Sequence, residues 1–138
     1  HGIGVKVNYL TAKKFYELSA KQNNSNALFC LGYLYENNYG VEQNYLKAKY
    51  YYELASKQNN SEALCNLGLF YLNGKGVEKN IDKAIHLLDL SSKHDNSNAS
   101  YNLGYLYCNG SVVKQDFGKA KNYFESAAKQ NNSKGYFI

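Results

Sequence analysis

The 138-residue sequence contains no arginine, proline, methionine or tryptophan. Without arginine all 16 basic residues are lysine, which excludes bidentate guanidinium contacts to phosphate, carboxylate or guanine. Absent proline and arginine, beside abundant Asn, Lys and Tyr, suggest an AT-rich coding source. A chain with no Met that opens on His1 is expected to be a segment of something longer, so a missing signal peptide decides nothing. No run of 18 apolar residues occurs, which argues against membrane insertion. Metalloprotease signatures, nucleophile elbows and paired buried carboxylates are also missing, so neither catalysis, a cofactor nor a small-molecule substrate is expected.

What is present is a period. Leu31-Gly32, Leu67-Gly68 and Leu103-Gly104 recur at a spacing of 36 residues. Ala12, Ala48, Ala84 and Ala120 keep the same step, as do Ser25, Ser61, Ser97 and Ser133. One supersecondary unit has been copied along the chain, the signature of a solenoid. The units fall at 25–60, 61–96 and 97–132, after a partial unit at 1–24 holding a second helix only, and 133–138 reads as the truncated start of a further one.

Within a unit, Ser25 reads as an N-cap, and Ala27, Leu28, Leu31, Leu34 and Tyr35 follow the spacing of an amphipathic helix ending near Asn37. Gly2, Asn38, Gly74 and Gly110 then stand where a left-handed residue closes a helix. A turn follows, with Gly4, Gly40 and Gly76 before Val5, Val41 and Val77. Asn8, Asn44, Asn80 and Asp116 cap the second helix, whose buried stripe is Ala48, Tyr51, Tyr52 and Ala55. Ala12, Phe15, Tyr16 and Ser19 repeat that stripe, as do Ala120, Tyr123, Phe124 and Ala127. No strand is predicted.

The pairs Glu17-Lys21, Glu53-Lys57, Asp89-Lys93 and Glu125-Lys129 lie four residues apart on the outer face of the second helices, each worth about 0.3 kcal/mol. Cys30, Cys65 and Cys108 are odd in number and sit at non-equivalent phases, so three mostly buried free thiols are expected rather than a disulfide framework. A Cys30–Cys65 pair is the alternative, and unpaired thiols lean towards a cytoplasmic location.

The pattern Ala63-x-x-x-Leu67-Gly68-x-x-Tyr71-x-x-Gly74-x-Gly76-Val77-x-x-Asn80-x-x-Lys83-Ala84 closely resembles the Sel-one-like repeat, a cousin of the tetratricopeptide repeat. The resemblance implies an all-α, right-handed superhelical solenoid of antiparallel helix pairs, with first helices on the concave side. It also implies an adaptor or scaffold role. Val112, standing where Gly40 and Gly76 do, and Gly135, standing where Ala27 does, are departures expected to distort the last turn. A cysteine-rich branch of the family carries cysteines at the positions of Ser56 and Leu64, and of Ser92 and Ser100; this chain lacks them. The penicillin-binding or hydrolase activity suggested for that branch is therefore not carried over.

Function has to lie where the copies differ. With Leu31 at the centre of the buried side, Phe29 and Tyr33 fall opposite it, near Asn26, Glu36 and Asn37. Their counterparts are Cys65, Leu69, Leu72 and Asn73 in the next unit and Tyr101, Tyr105, Cys108 and Asn109 in the last, flanked by Asn66 and Asn102. Rings and aliphatics edged with amides suit a groove for a protein or peptide, because rings supply area while amides pair with a guest backbone. The competing reading packs Phe29 and Tyr33 against the adjacent first helix.

Other constellations carry less. Asp82, His86 and Asp89 share one helix face at metal-compatible spacing, but the trio occurs once, on the outer face, and reads as solvated surface. Gly74-Lys75-Gly76 lacks the spacing and the Ser or Thr of a phosphate loop. Lysines alternating with acids on the convex helices, away from the rings, form no nucleic-acid platform. Asn-x-Ser triplets, as at Asn23 and Asn109, match glycosylation acceptors, and turn and cap chemistry explains those beside the helix starts. The sequence is thus expected to encode a non-catalytic interaction scaffold, with a structural spacer or a regulatory arm of a larger protein as the alternatives.

Overall fold

A computed structural model describes residues 2–133. Seven helices follow one another: α1 (Gly2–Ala20), α2 (Ser25–Asn37), α3 (Tyr45–Ser56), α4 (Ser61–Asn73), α5 (Ile81–Lys93), α6 (Ser97–Asn109) and α7 (Phe117–Ser133). Among the described residues there is no strand. Each even-numbered helix pairs with the helix after it, and each pair stacks on the next.

The capping chemistry departs from expectation by one residue. Asn24, Asn60 and Asn96, not the serines that follow, accept the N–H of Ala27, Ala63 and Ala99. Asn exposes its amide oxygen at the reach needed from an extended backbone, so the serine becomes the first helical residue. Asn44 and Asn80 cap α3 and α5 as expected, and Asp116 Oδ1 accepts the Lys119 N–H at 3.0 Å. Asn38, Gly74 and Gly110 take the left-handed conformation that ends α2, α4 and α6.

The loop between paired helices closes in the same way three times. Asn44, Asn80 and Asp116 donate their N–H to the carbonyls of Tyr35, Tyr71 and Tyr107. Val112 leaves that closure unaltered, contrary to the expected distortion, because no residue between Gly110 and Asp116 needs a positive φ. In the first copy the expected Gly4-Val5 turn and Asn8 cap do not form, and α1 runs unbroken from Gly2. At the other end α7 continues through Asn131, although its counterparts Asn23, Asn59 and Asp95 all take positive φ. The expectation for Gly135 lies outside the described residues, as does most of the expected further unit at 133–138.

The recurring Leu-Gly is a packing device. Leu31, Leu67 and Leu103 are buried in the stacked core. A Cβ on Gly32 would lie 2.6 Å from the Tyr52 ring, on Gly68 3.0 Å from Leu88 Cγ, and on Gly104 2.7 Å from the Phe124 ring. The missing side chain therefore lets a large residue of the second helix cross directly over the first. Ala48, Ala55, Ala63, Ala84 and Ala99 are fully buried and allow the same close approach at other crossings.

The second-helix stripe is buried where it meets a first helix. Tyr51 stacks on Tyr35 at 5.9 Å, and Tyr123 on Tyr107 at 5.9 Å. Phe15, at the same phase, is instead 64% exposed, since α1 has no first helix of its own among the described residues. Lys47, Lys83 and Lys119 each cap the face of Tyr35, Tyr71 or Tyr107, at 5.2, 4.5 and 5.1 Å from the ring centre. The period thus carries a cation–π clasp between paired helices.

Surface ion pairs also shift register. Asp89–Lys93 forms at 3.1 Å as expected, but Glu17 and Glu53 pair with Lys13 and Lys49, one turn earlier, and Glu125 also has Lys121 at 3.9 Å. For Lys21 and Lys57 the reason is geometric: α1 and α3 end at Ala20 and Ser56, leaving both lysines past the last helical residue, whereas α5 extends to Lys93.

Candidate interaction groove

The first helices α2 and α4 and the start of α6 enclose a cleft of about 590 Å³. Phe29, Tyr33 and Asn66 line it together with Glu62, Cys65, Asn96, Ser97, Asn98 and Asn131. The α-helical period turns Phe29 and Tyr33 away from buried Leu28 and Leu31, which puts both rings on the free side of α2.

The two rings differ in how free they are. Tyr33 is 43% exposed, while Phe29 is half-buried and stacks on Tyr52 at 5.7 Å. A continuous series of ring contacts runs Tyr9–Tyr39–Tyr33–Phe29–Tyr52–Phe70, each step between 5.0 and 6.0 Å. It begins in α1, passes through the cleft wall and ends in the core. Rings anchored to buried rings are held in place and lose little freedom on meeting a guest.

Behind the wall lies a polar network. Fully buried Tyr52 donates its hydroxyl to Glu36 Oε1 at 2.6 Å and accepts from Asn66 Nδ2 at 3.2 Å. Lys75 Nζ reaches Glu36 Oε2 at 3.5 Å and lies over the rings of Tyr45 and Phe70. Burial, then the hydrogen bond to Glu36, push the Tyr52 phenol far above its usual range, so it remains a donor. Glu36 is therefore engaged within the fold, as a strut between two units.

The remaining expected groove residues spread along the same side. Leu69 and Leu72 are half-buried against the core. Tyr101 and Tyr105 are 57% and 55% exposed, Tyr101 with its ring 5.6 Å from Phe124. Asn73 and Asn102 donate to the carbonyls of Leu69 and Asn98 on their own helices. Asn109 is exposed. The cleft gathers Phe29, Tyr33, Cys65 and Asn66 into one place and leaves the others outside its lining.

Sequence reasoning missed Glu62, Asn98, Asn96, Ser97 and Asn131. Glu62 and Asn98 occupy the phase of Asn26, which the helical wheel does place on the groove side. Asn96 and Ser97 belong to the cap of α6, and a cap is read from sequence as architecture rather than as a wall.

The thiols are free: Cys65 is buried, Cys30 half-buried and Cys108 exposed. The exposure of Cys108 departs from three mostly buried thiols; it lies over α7, where Phe117 is exposed too. No cluster of three metal-ligating side chains exists among the described residues. Asp89, of the Asp82, His86 and Asp89 trio, accepts from the Tyr123 hydroxyl at 3.1 Å and pairs with Lys93.

The Sel1 repeat pattern matches residues 1–24, 25–60, 61–96 and 97–132. The chain belongs to the Sel1 repeat family. Its fold is similar to that of a Sel1 repeat protein from Oxalobacter formigenes, with 28% identity over 95% of this chain and a TM-score of 0.76. It is likewise similar to c5321, a protective antigen of uropathogenic Escherichia coli with an SLR fold (28% identity, 86% of this chain, TM-score 0.79). A third similar structure is Helicobacter pylori cysteine rich protein B (25% identity, 98% of each chain, TM-score 0.70). The chain spans 56% of the Oxalobacter protein and 26% of c5321. None of the curated protein sequences matches it. In the present Sel1 chain the buried hydroxyls of Ser92 and Ser100 lie 2.6 Å apart.

Proposed function

We propose that this Sel1 chain is a non-catalytic scaffold that binds an extended segment of a protein partner along the side formed by α2, α4 and α6. Sel1 repeat proteins are generally protein-interaction scaffolds. The observation that carries the reading for this chain is the cleft whose wall is exposed Tyr33 beside anchored Phe29, edged by the amides of Asn66 and Asn98. Tyr33, Leu69 and Tyr105 repeat at one phase across three units and continue the apolar line beyond it. An extended guest would bury rings and satisfy its backbone on side-chain amides.

A random peptide library displayed on phage tests this. The wild-type chain is expected to enrich peptides, and Tyr33→Ala with Tyr105→Ala is expected to abolish the enrichment. Unchanged selection by the double variant, or no selection by the wild type, sinks the groove and favours a structural spacer.

A further inference from the structure

We infer that the cleft over α2, α4 and the start of α6 takes a lysine or arginine side chain of the bound segment, with Glu62 as its countercharge and Phe29 and Tyr33 as its aromatic wall. The inference rests on the groove reading above and specifies what occupies it.

Charge is the first argument. The sequence holds 16 lysines and a net charge of +5, yet the cleft lining includes no lysine and one charged residue, Glu62. Among the described residues Glu62 forms no ion pair with a lysine, and neither do Glu42, Glu78, Asp82, Asp95 or Asp116, but of these six only Glu62 lines the cleft. A carboxylate left without a cation, in a protein rich in cations, complements a positively charged guest. Its counterparts Asn26 and Asn98 are neutral, so the charge occurs once, in the unit at the middle of the cleft.

The walls supply the second. Phe29 and Tyr33 lie 6.0 Å apart and tilted by 34°, with Tyr33 open to solvent. Ring faces attract ammonium and guanidinium groups and accommodate their aliphatic stems. The floor is neutral: burial, and then the charge of Glu62, push the Cys65 thiol up to about 12, so it carries no charge beside the carboxylate. Glu62 sits in the first turn of α4, where a negative charge complements the helix dipole. Around this centre the side chains of Asn98 and Asn131 and the amide oxygen of Asn66 line the cleft and can meet the guest's backbone. A volume of about 590 Å³ is ample for one long side chain and the peptide units on either side.

The test compares peptide libraries selected on the wild type, on Glu62→Gln and on Glu62→Lys, each first shown by circular dichroism to be folded. Wild-type selections are expected to concentrate Lys or Arg at one position, Gln to lose that preference, and Lys to replace it with Asp or Glu. A synthetic peptide from the wild-type pool should bind Glu62→Gln up to about fivefold more weakly by fluorescence anisotropy, the scale of one exposed ion pair, since the aromatic wall is unchanged. A wild-type pool without basic bias, or the same basic bias on Glu62→Lys, overturns the cation site and leaves the groove standing. No enrichment on the wild type overturns both.

Discussion

Tyr52 and Glu36 sit in different helices, 16 residues apart, and share a hydrogen bond of 2.6 Å with the phenol fully buried. The same ring stacks beneath Phe29, packs against Phe70 and fills the space left by Gly32. One side chain thus joins the helix crossing, the inter-unit network and the groove wall.

Removing only its hydroxyl separates these roles. Tyr52→Phe keeps the stacking but strands Glu36 Oε1 and Asn66 Nδ2, and should cost about 1–3 kcal/mol. Tyr52→Ala removes the ring as well and should cost about 3–5 kcal/mol. Urea unfolding followed by circular dichroism measures both. Equal stability of Tyr52→Phe and wild type would show that the network contributes nothing.

The glycines provide a contrast of sign. Gly→Ala within a helix ordinarily gains up to about 1 kcal/mol. Gly118, at the start of α7, has only Asp116 Oδ1 within 4 Å of a new Cβ, at 3.4 Å, so Gly118→Ala should stabilise by about that amount. Gly32→Ala would drive a Cβ to 2.6 Å from a buried ring, and should destabilise by about 1–3 kcal/mol. Gly68→Ala, facing Leu88 at 3.0 Å, should fall between them. Thermal melts of the three variants check the order.

Ser92 and Ser100 are placed for a crosslink. Their hydroxyls touch at 2.6 Å across the α5–α6 turn, a separation close enough for the side chains to be bridged. Ser92→Cys with Ser100→Cys should form a disulfide, seen as a mass loss of about 2 Da, and raise stability by about 2 kcal/mol over its reduced form. Gln130 then loses its bond to Ser100 but keeps its donation to the Ser92 carbonyl. A double variant that stays reduced in air would show the helix ends to be held further apart than this.

Alkaline pH should weaken the fold. Burial, then the Asp89 carboxylate, raise the Tyr123 phenol from 10.0 to about 12, and Tyr52 is raised further still. Below pH 10 both folded and unfolded chains hold these protons, and stability is unaffected. Between 10 and 12 the unfolded chain releases them first, so stability falls as pH rises. Urea midpoints from pH 8 to 11.5 should be flat and then drop, while Tyr123→Phe with Asp89→Asn should lessen the drop. An unchanged drop in that variant would assign it elsewhere.

Most of the fold is legible along the chain because it is local. The 36-residue period, the left-handed positions at Asn38, Gly74 and Gly110, and the caps Asn44 and Asn80 each depend on a few neighbouring residues and recur with the copy. Where local signals competed, the sequence was read one step off, as at Ser25 beside Asn24. Where a repeated phase lacked its usual neighbour, as at Asn8 and Phe15, pattern alone pointed to a turn and a buried ring that did not form.

The groove is legible only in outline. A helical wheel puts Tyr33, Leu69 and Tyr105 on one side of their helices, since 3.6 residues per turn is a property of the chain itself. Which of them meet in a cleft depends on how the units stack, and the tertiary structure decided that. It withdrew Glu36 into a bond with Tyr52, seated Phe29 on the same ring, and brought Glu62 and Asn98 from separate units to one opening. Sequence determines the faces of this Sel1 solenoid through its period. Long-range packing determines which faces remain free, because burial is a relation between residues that the chain separates by dozens of positions.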